Sequence, residues 1–421
     1  MATTFPTNAR TELLVFRYFA TLPDPRFRRA RRHPLMTLLF IILCATISGA
    51  DTFAQMERWA HAKKVWLEQQ IDLSAGIPTH DTIGRLFARL NPNAFATCFD
   101  EWVQALHRHT KGEVIAIDGK TVRGSRDDAM DSPALHLISA FATKNRLALC
   151  QEVVAGHENE ITAVPTLLSL LDVEDCIVTA DAMLCQKDIA AQVIDQGGDY
   201  ALALKENHPH LHDSTQEFFA YWRSQGWKTE QDGVPIAHQF AQTVGKGHGR
   251  IEIRTCCVAE AAQVAPWLVS APTSEDSNDS SEDTQDEVWK GLRSIAAVTC
   301  ERRERHKTTT FTRYFLTSLS GPNAAEDILR ATRQHWGIEN RLHWCLDVVM
   351  REDDHQLRGR RNARSAVRNM ALLRKMVLNL LRKGGDLKDS LRGKRDMSGW
   401  NTDYLEAVLA GTTFTTQATE R

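Results

Sequence analysis

The sequence predicts an α+β protein: a helical N-terminal domain, a mixed sheet carrying a β-strand-rich insertion, and a return to helix. Three observations carry that prediction. Apolar residues recur at helical spacing up to about residue 110, in segments separated by prolines. Past Glu113 the pattern changes to short runs rich in Val, Ile and Ala, of strand length. From about residue 321 helical spacing resumes. At 421 residues the chain is long enough for two or three domains and a well-buried core.

Within residues 1–110, helices are expected at Glu12–Ala20, Leu35–Ser48, Thr52–Gln69, Thr79–Leu90 and Ala94–His107, with Pro23, Pro25, Pro34, Pro78 and Pro92 between them. Thr79-His80-Asp81-Thr82 has the form of a helix start, capped by Thr79 or Asp81. The run from Leu35 to Ala50 follows a basic stretch, as a signal or membrane segment would. It is internal, sixteen residues long and contains Thr37, Thr46 and Ser48. A spanning helix needs roughly 20 apolar residues, so a buried core helix is expected and no membrane partner. The nine cysteines are scattered without a C-x-x-C pair, which fits reduced thiols in a cytoplasmic protein.

Residues 111–236 hold expected strands at Val114–Ile117, Leu135–Phe141, Leu147–Ala155, Ile177–Ala180 and Tyr200–Leu204, with helices at Thr162–Leu171 and Gln186–Gln196. Three successive strands, then helix–strand–helix–strand, is the order of an RNase H-like core. Residues 237–320 form the insertion, with strands at His238–Val244, Ile251–Ala259, Ile295–Cys300 and Thr309–Ser318. Inside it the acidic polar tract 273–287 cannot bury itself and reads as a disordered loop. Residues 321–385 are expected to be the helical end of the core, and 386–421 a tail that frays after Gly411.

A net charge of -2 conceals strong local asymmetry. Between Arg358 and Arg395 thirteen Lys and Arg face only Asp386 and Asp389, while negative charge gathers between Glu275 and Glu287. Phosphate-binding surfaces have this character, and a near-neutral total does not exclude one. Arg358, Arg361, Arg364 and Arg368 recur every three or four residues, which would make one helix face cationic; a solvated amphipathic helix is the plainer alternative.

Three acids stand out by their settings. Asp118 follows the apolar run Val114–Ile117, Asp181 follows Ile177–Ala180, and Glu339 lies in the helical stretch His335-Trp336-Gly337-Ile338-Glu339. Carboxylates at the ends of buried strands, joined by one from a helix, suit two divalent cations used in phosphoryl transfer. Each has a bland reading: Asp118-Gly119-Lys120 is good hairpin-turn chemistry, Asp181 could cap a helix, and Glu339 could be a solvated helical glutamate. Glu339, His343 and Asp347 follow at four-residue intervals and share a helix face, in support of a metal or in salt bridging. Lys205, at a strand end, could steer a phosphate or simply be solvated. His208, His210 and His212 suggest zinc only weakly, since Pro209 spoils the strand that would align them. Gly245 to Arg250 reads as a basic hairpin tip able to touch a DNA backbone.

In combination, the strings Ala116 to Ser125, Thr179 to Met183, Asp199 to His208, His248 to Arg254 and His335 to Asp347 resemble the ISAs1 family of insertion-sequence transposases, in the IS4-like DDE group with the H-repeat-associated proteins. Phe16 to Phe19, Asp24 to Arg26 and Thr79 to Thr82 resemble the helical domain associated with those enzymes, so the resemblance spans about residues 12 to 384. It implies that Asp118, Asp181 and Glu339 are the catalytic, metal-binding triad. It also implies Mg²⁺ as cofactor with Mn²⁺ as substitute, and double-stranded DNA, both transposon ends and target, as the partner of a homodimer. Many IS4-like enzymes carry Tyr, Arg and Lys around the glutamate, where this chain has Thr332, His335 and Leu346. Phosphate contact is therefore expected to pass to Lys120, Arg123, Arg333 or Arg341, with Lys205, Arg250, Arg361, Arg364 and Arg368 as further DNA contacts. An inactive DNA-binding relic, or an RNase H-like nuclease without strand transfer, stays open beside the transposase.

Overall fold

The computed structural model describes residues 14–107, 111–126, 133–154, 159–227, 230–231, 234–235, 238–247, 249–269, 288–354 and 363–412. The acidic tract 273–287, Arg361 and residues 413–421 lie outside them. Six helices come first: α1 (Leu14–Phe19), α2 (Leu35–Ile47), α3 (Phe53–Ala62), α4 (Lys64–Gln70), α5 (His80–Arg89) and α6 (Pro92–Leu106). Every residue of α2 is buried, as a helix apolar on all sides requires. No helix among the described residues is long and apolar enough to cross a membrane. Where one helix is expected from Thr52 to Gln69, the chain breaks at Lys63 between α3 and α4. Thr52 and Gln55 close a capping box on α3, and Thr79 caps α5 by accepting from the Thr82 amide.

The sheet begins with β1 (Val114–Val122), β2 (Leu135–Ala142) and β3 (Leu147–Val154), followed by α7 (Glu160–Ser169), β4 (Ile177–Ala180), α8 (Lys187–Asp195), β5 (Asp199–Leu204) and α9 (Pro209–Ser224). A two-residue pair, β6 (Glu230–Gln231) and β7 (Val234–Pro235), precedes β8 (His238–Gly247), β9 (Arg250–Glu260), α10 (Ala261–Val264), β10 (Ser294–Arg303) and β11 (Thr308–Thr317). Nine strands make one sheet in the order β3-β2-β1-β4-β5-β11-β10-β9-β8. Strands β1, β2 and β3 are antiparallel, whereas β4 and β5 run parallel to β1. That half is the RNase H-like arrangement the element order predicts. The later strands are inserted in sequence but continue the same sheet in space, because β11 pairs antiparallel with β5.

Helix α11 (Ala324–Gly337) crosses one face, where its Ala331 packs with Val114, Ile177 and Ala201. Beyond it the chain winds as π-helix over Ile338–His343 and again over Cys345–Val349. The same face receives α12 (Ala363–Lys383) through Val367 and Ala371 against Val122, Leu135 and Leu137. Helices α12, α13 (Leu391–Trp400) and α14 (Thr402–Ala410) join the N-terminal helices: Asn369 of α12 bonds the carbonyls of Phe87 and Leu90, Arg395 of α13 bonds Asp51, and Trp66 bonds Glu406 of α14.

Candidate active site

Strand β1 does not stop at Asp118. Its antiparallel partner continues alongside as far as Val122 opposite Leu135, and Gly119 pairs with Ile138. The hairpin-turn reading of Asp118-Gly119-Lys120 is thereby excluded. On the other side, β4 ends at Ala180 opposite Ile117, so Asp118 and Asp181 are the next residues of two adjacent parallel strands. A cleft opens where a parallel neighbour ends, the usual place for a site in such a sheet. Asp181 makes no helix cap: the turn it precedes is a single 3-10 turn, without a side-chain hydrogen bond to its amides.

Glu339 reaches this cleft from α11 through the π-helical turn, a winding often found at functional sites. Donor atoms of Asp118, Glu339 and His343 lie within 4.8 Å of one another. His343 Nδ1 is 3.5 Å from Asp118 Oδ2 and 3.2 Å from Glu339 Oε2. Asp181 stands beside this group, its Oδ1 3.7 Å from His335 Nε2, while His335 Nδ1 meets Thr179 Oγ1 at 3.0 Å. The two histidines flank the acids, one from each turn of the same helical run.

The electrostatics follow from these positions. Burial pushes Asp118 up to about 7, and the charges of Asp181 and Glu160 add to the rise. Glu160 comes close because residue 119 is glycine: a Cβ there would collide with the Glu160 carboxylate and the His136 ring. Asp181 is held below its ordinary value by the His335 hydrogen bond. Burial drives His343 down to about 3, so the imidazole is neutral, and its Nε2 is buried without a hydrogen-bond partner among the described residues. Hard carboxylate oxygens around a neutral imidazole fit a divalent cation of the Mg²⁺ or Mn²⁺ kind, and a carboxyl raised by desolvation is one that a cation would re-ionise.

Next to Asp181 a groove of about 600 Å³ is walled by Lys205, Arg250, Arg254, Arg302, Arg313 and Arg333. Glu252 lies among these cations, with Arg250 Nε at 2.9 Å, Arg302 Nε at 3.3 Å and Arg254 also bonded. Arg313 stacks between two half-exposed rings, 5.1 Å from the Trp336 centroid and 5.4 Å from that of Phe311. Three of the expected DNA contacts, Lys205, Arg250 and Arg333, thus meet in one place. Arg254, Arg302 and Arg313 were not anticipated. Their signal was present in part, since Arg250, Glu252 and Arg254 alternate along one face of β9, and Arg302 of β10 stands opposite Glu252.

Other expectations find different surroundings. Lys120 points inward to Asp347, Glu352 and Asp353 at 2.7, 3.1 and 3.4 Å, so three carboxylates already surround its charge. Arg123 is exposed near Asp353, Arg341 is exposed and bonds the Thr143 carbonyl, and Arg364 reaches the Pro133 carbonyl. Arg368 is half-buried and bonds Asn93 Oδ1 at 2.9 Å. Of the cationic face expected on α12, Arg358 and Arg361 lie outside the described residues, Arg364 is exposed and Arg368 half-buried; farther along the helix, Arg374 meets Glu352 at 3.5 Å and Lys375 meets Ser139 at 2.9 Å inside the protein. Apolar residues at 367, 370 and 373 carry the helix inside, and Arg374 and Lys375 go with it. Pro209 opens α9, so the three histidines do not converge; His208 bonds the Cys185 carbonyl instead.

An RNase H-like sheet with Asp118 inside β1, Asp181 just past the end of the parallel β4 and Glu339 arriving from the helical side fits a phosphoryl-transfer class of protein. The comparisons give the family. The "Transposase DDE domain" model matches residues 109–380, and the "DDE_Tnp_1-associated" model matches residues 16–103. The chain is 37% identical over 396 residues to the "Putative transposase YncI" of Escherichia coli O157:H7, covering 93% of each. It is 36% identical over 400 residues to the "H repeat-associated putative transposase YhhI" of Escherichia coli strain K12, covering 94% of this chain and 97% of the relative. A solved piggyBac transposase synaptic complex with hairpin DNA aligns over 96% of this chain and 79% of its own, at TM-score 0.40 and 8% identity, too distant to bear on individual residues. This chain belongs to the DDE transposase family, among the H-repeat-associated, ISAs1-like members that its motifs resemble.

Proposed function

We propose that the chain is an active insertion-sequence transposase. It hydrolyses DNA at the ends of its element and joins the freed 3′-hydroxyl to target DNA. The observation that carries this reading is the convergence of Asp118 and Glu339 on one point, with Asp181 on the adjoining parallel strand and the cationic groove beside it.

Asp118, Asp181 and Glu339 are the residues that would hold Mg²⁺ or Mn²⁺. Such a cation, when bound, activates the attacking hydroxyl and stabilises the leaving 3′-oxygen. The protein's own part is positioning. His335 orients Asp181 and keeps it ionised, while His343, neutral, faces both Asp118 and Glu339 without adding charge. Lys205 and Arg333 neutralise backbone phosphates at the cleft, and Arg250, Arg254 and Arg302, gathered by their shared ion pairs to Glu252, extend the grip along the groove. Phosphoryl transfer needs no protein nucleophile, so fixed charge and geometry suffice. Double-stranded DNA is the partner, and two ends are brought together by two copies of the chain.

The test is cleavage of DNA carrying the element's ends, in Mg²⁺ or Mn²⁺, by wild type and Glu339→Gln. Nicking and joining by wild type, with binding but neither reaction in the variant, is the expected result. Nicking without joining would leave a nuclease, and specific binding without cleavage a relic. Equal cutting by Glu339→Gln would remove Glu339 from the site.

A further inference from the structure

We propose that Lys120 is a positioning residue: it pins the segment that carries Glu339 to the strand that carries Asp118, so that the two carboxylates converge. The inference rests on the reading of those acids as metal-holding.

Lys120 lies two residues beyond Asp118 and so shares its face of β1. Across from that face, His343 and Asp347 are four residues apart on the π-helical run and project the same way. The two elements meet as a ladder with two rungs. On the first, His343 touches Asp118 and Glu339. On the second, Lys120 touches Asp347 at 2.7 Å. The ammonium is only a tenth exposed, and two more acids just past the π-helix, Glu352 and Asp353, close around it. The Arg123 amide also donates to Asp353 at 3.0 Å, so strand and helical segment are tied again three residues on.

Charge makes the pin specific. Glu352 is fully buried, and Arg374 supports it from α12. Glu352, Asp347 and Asp353 all lie within 3.4 Å of the Lys120 ammonium, so its charge is matched inside the protein. A slip of one helical residue would remove Asp347 from Lys120 and carry Glu339 away from Asp118 together. A lone surface lysine would have no such effect. Buried groups behind a metal site characteristically act in this way, orienting the ligands without touching the ion.

The test uses the full chain with Lys120→Met, Asp347→Asn, and Asp118→Asn as reference. Three quantities are measured: Mn²⁺ affinity from the free-ion EPR signal, DNA affinity against salt in EDTA, and amide exchange across residues 338–349. Lys120→Met and Asp347→Asn are expected to weaken Mn²⁺ binding about tenfold and to speed exchange in that segment. DNA affinity and its salt slope stay at the wild-type values. Unchanged Mn²⁺ affinity, with a salt slope smaller by about 0.9 for Lys120→Met, would make Lys120 a phosphate contact and overturn the proposal. Should Lys120→Met fail to fold, Asp347→Asn decides, since Asp347 is a third exposed and Asn keeps its volume. If Asp118→Asn binds Mn²⁺ as wild type does, the metal reading fails. The pin is then judged by exchange alone, and wild-type protection of residues 338–349 in Asp347→Asn overturns it.

Discussion

Cations occur on both sides of the acid cleft, and the two sides use them in opposite ways. On the β1 side, Lys120, Arg374 and Lys375 are buried against Glu352, Asp347 and Ser139, and they hold elements of the fold together. On the β9–β11 side, six Lys and Arg line a groove that contains Glu252 and Asp181 as its acids, and their charge faces outward. The same residue types serve as internal struts in one region and as a candidate phosphate rail in the other. The difference lies in what is packed over the strands: a helical segment rich in acids closes over the first region, whereas α11 covers only part of the second and leaves the groove open beside it.

Breaking the struts should have the largest effect. Glu352→Gln leaves Arg374 and Lys120 short of a buried partner, and is expected to cost about 3–5 kcal/mol of unfolding free energy, read by urea denaturation. Arg333→Ala should leave that free energy within about 0.5 kcal/mol yet weaken DNA binding and reduce its salt slope by about 0.9. If the two variants exchanged phenotypes, the contrast between the regions would be wrong.

Asp118 offers a finer test, through pH. Its folded pKa of about 7 stands above the ordinary 3.8, so the folded protein binds the proton more tightly than the unfolded chain. That contribution is complete below 3.8 and is lost as pH rises through 7. In metal-free protein, Asp118→Asn is therefore expected to stabilise at pH 8 by about 2–3 kcal/mol relative to its effect at pH 5, measured by denaturation at both. For the same reason wild-type Mn²⁺ affinity should fall roughly tenfold from pH 8 to pH 6. The smallest effect is expected from Arg364→Ala. That residue is exposed and reaches only a carbonyl, so stability should stay within about 0.5 kcal/mol.

Much of this was legible in the sequence because local pattern encodes it. The run Ile177–Ala180 is the whole of β4, and the apolar stretch from Leu35 is the buried α2. The order of strands and helices named the RNase H-like half, and the three acids were visible from their settings. What escaped depends on residues distant in sequence. Alternation placed Lys120 on the face of Asp118, but whether solvent or acids cover that face is decided at 347–353, more than 220 residues later. Nothing local separates a free-standing β domain from one whose last strand pairs with β5. The π winding is equally hidden, since residues four apart share a face in either kind of helix. For Arg313, alternation along β11 puts Phe311 on its face two residues away, but its other ring, Trp336, comes from α11 and has no local sign.

Because β11 joins β5, the groove and the carboxylates ride on one plank, and the plank works as a ruler. Four strand spacings separate β4, which ends beside Asp181, from β9, which carries Arg250 and Arg254. At about 4.8 Å each, that is about 19 Å. Along a duplex that rises 3.4 Å per step, the distance corresponds to roughly five or six base pairs. On the proposed reading, the hydrogen-bond ladder of the sheet would set how far from the scissile phosphate the DNA is gripped, and adding or removing a strand would change the measure.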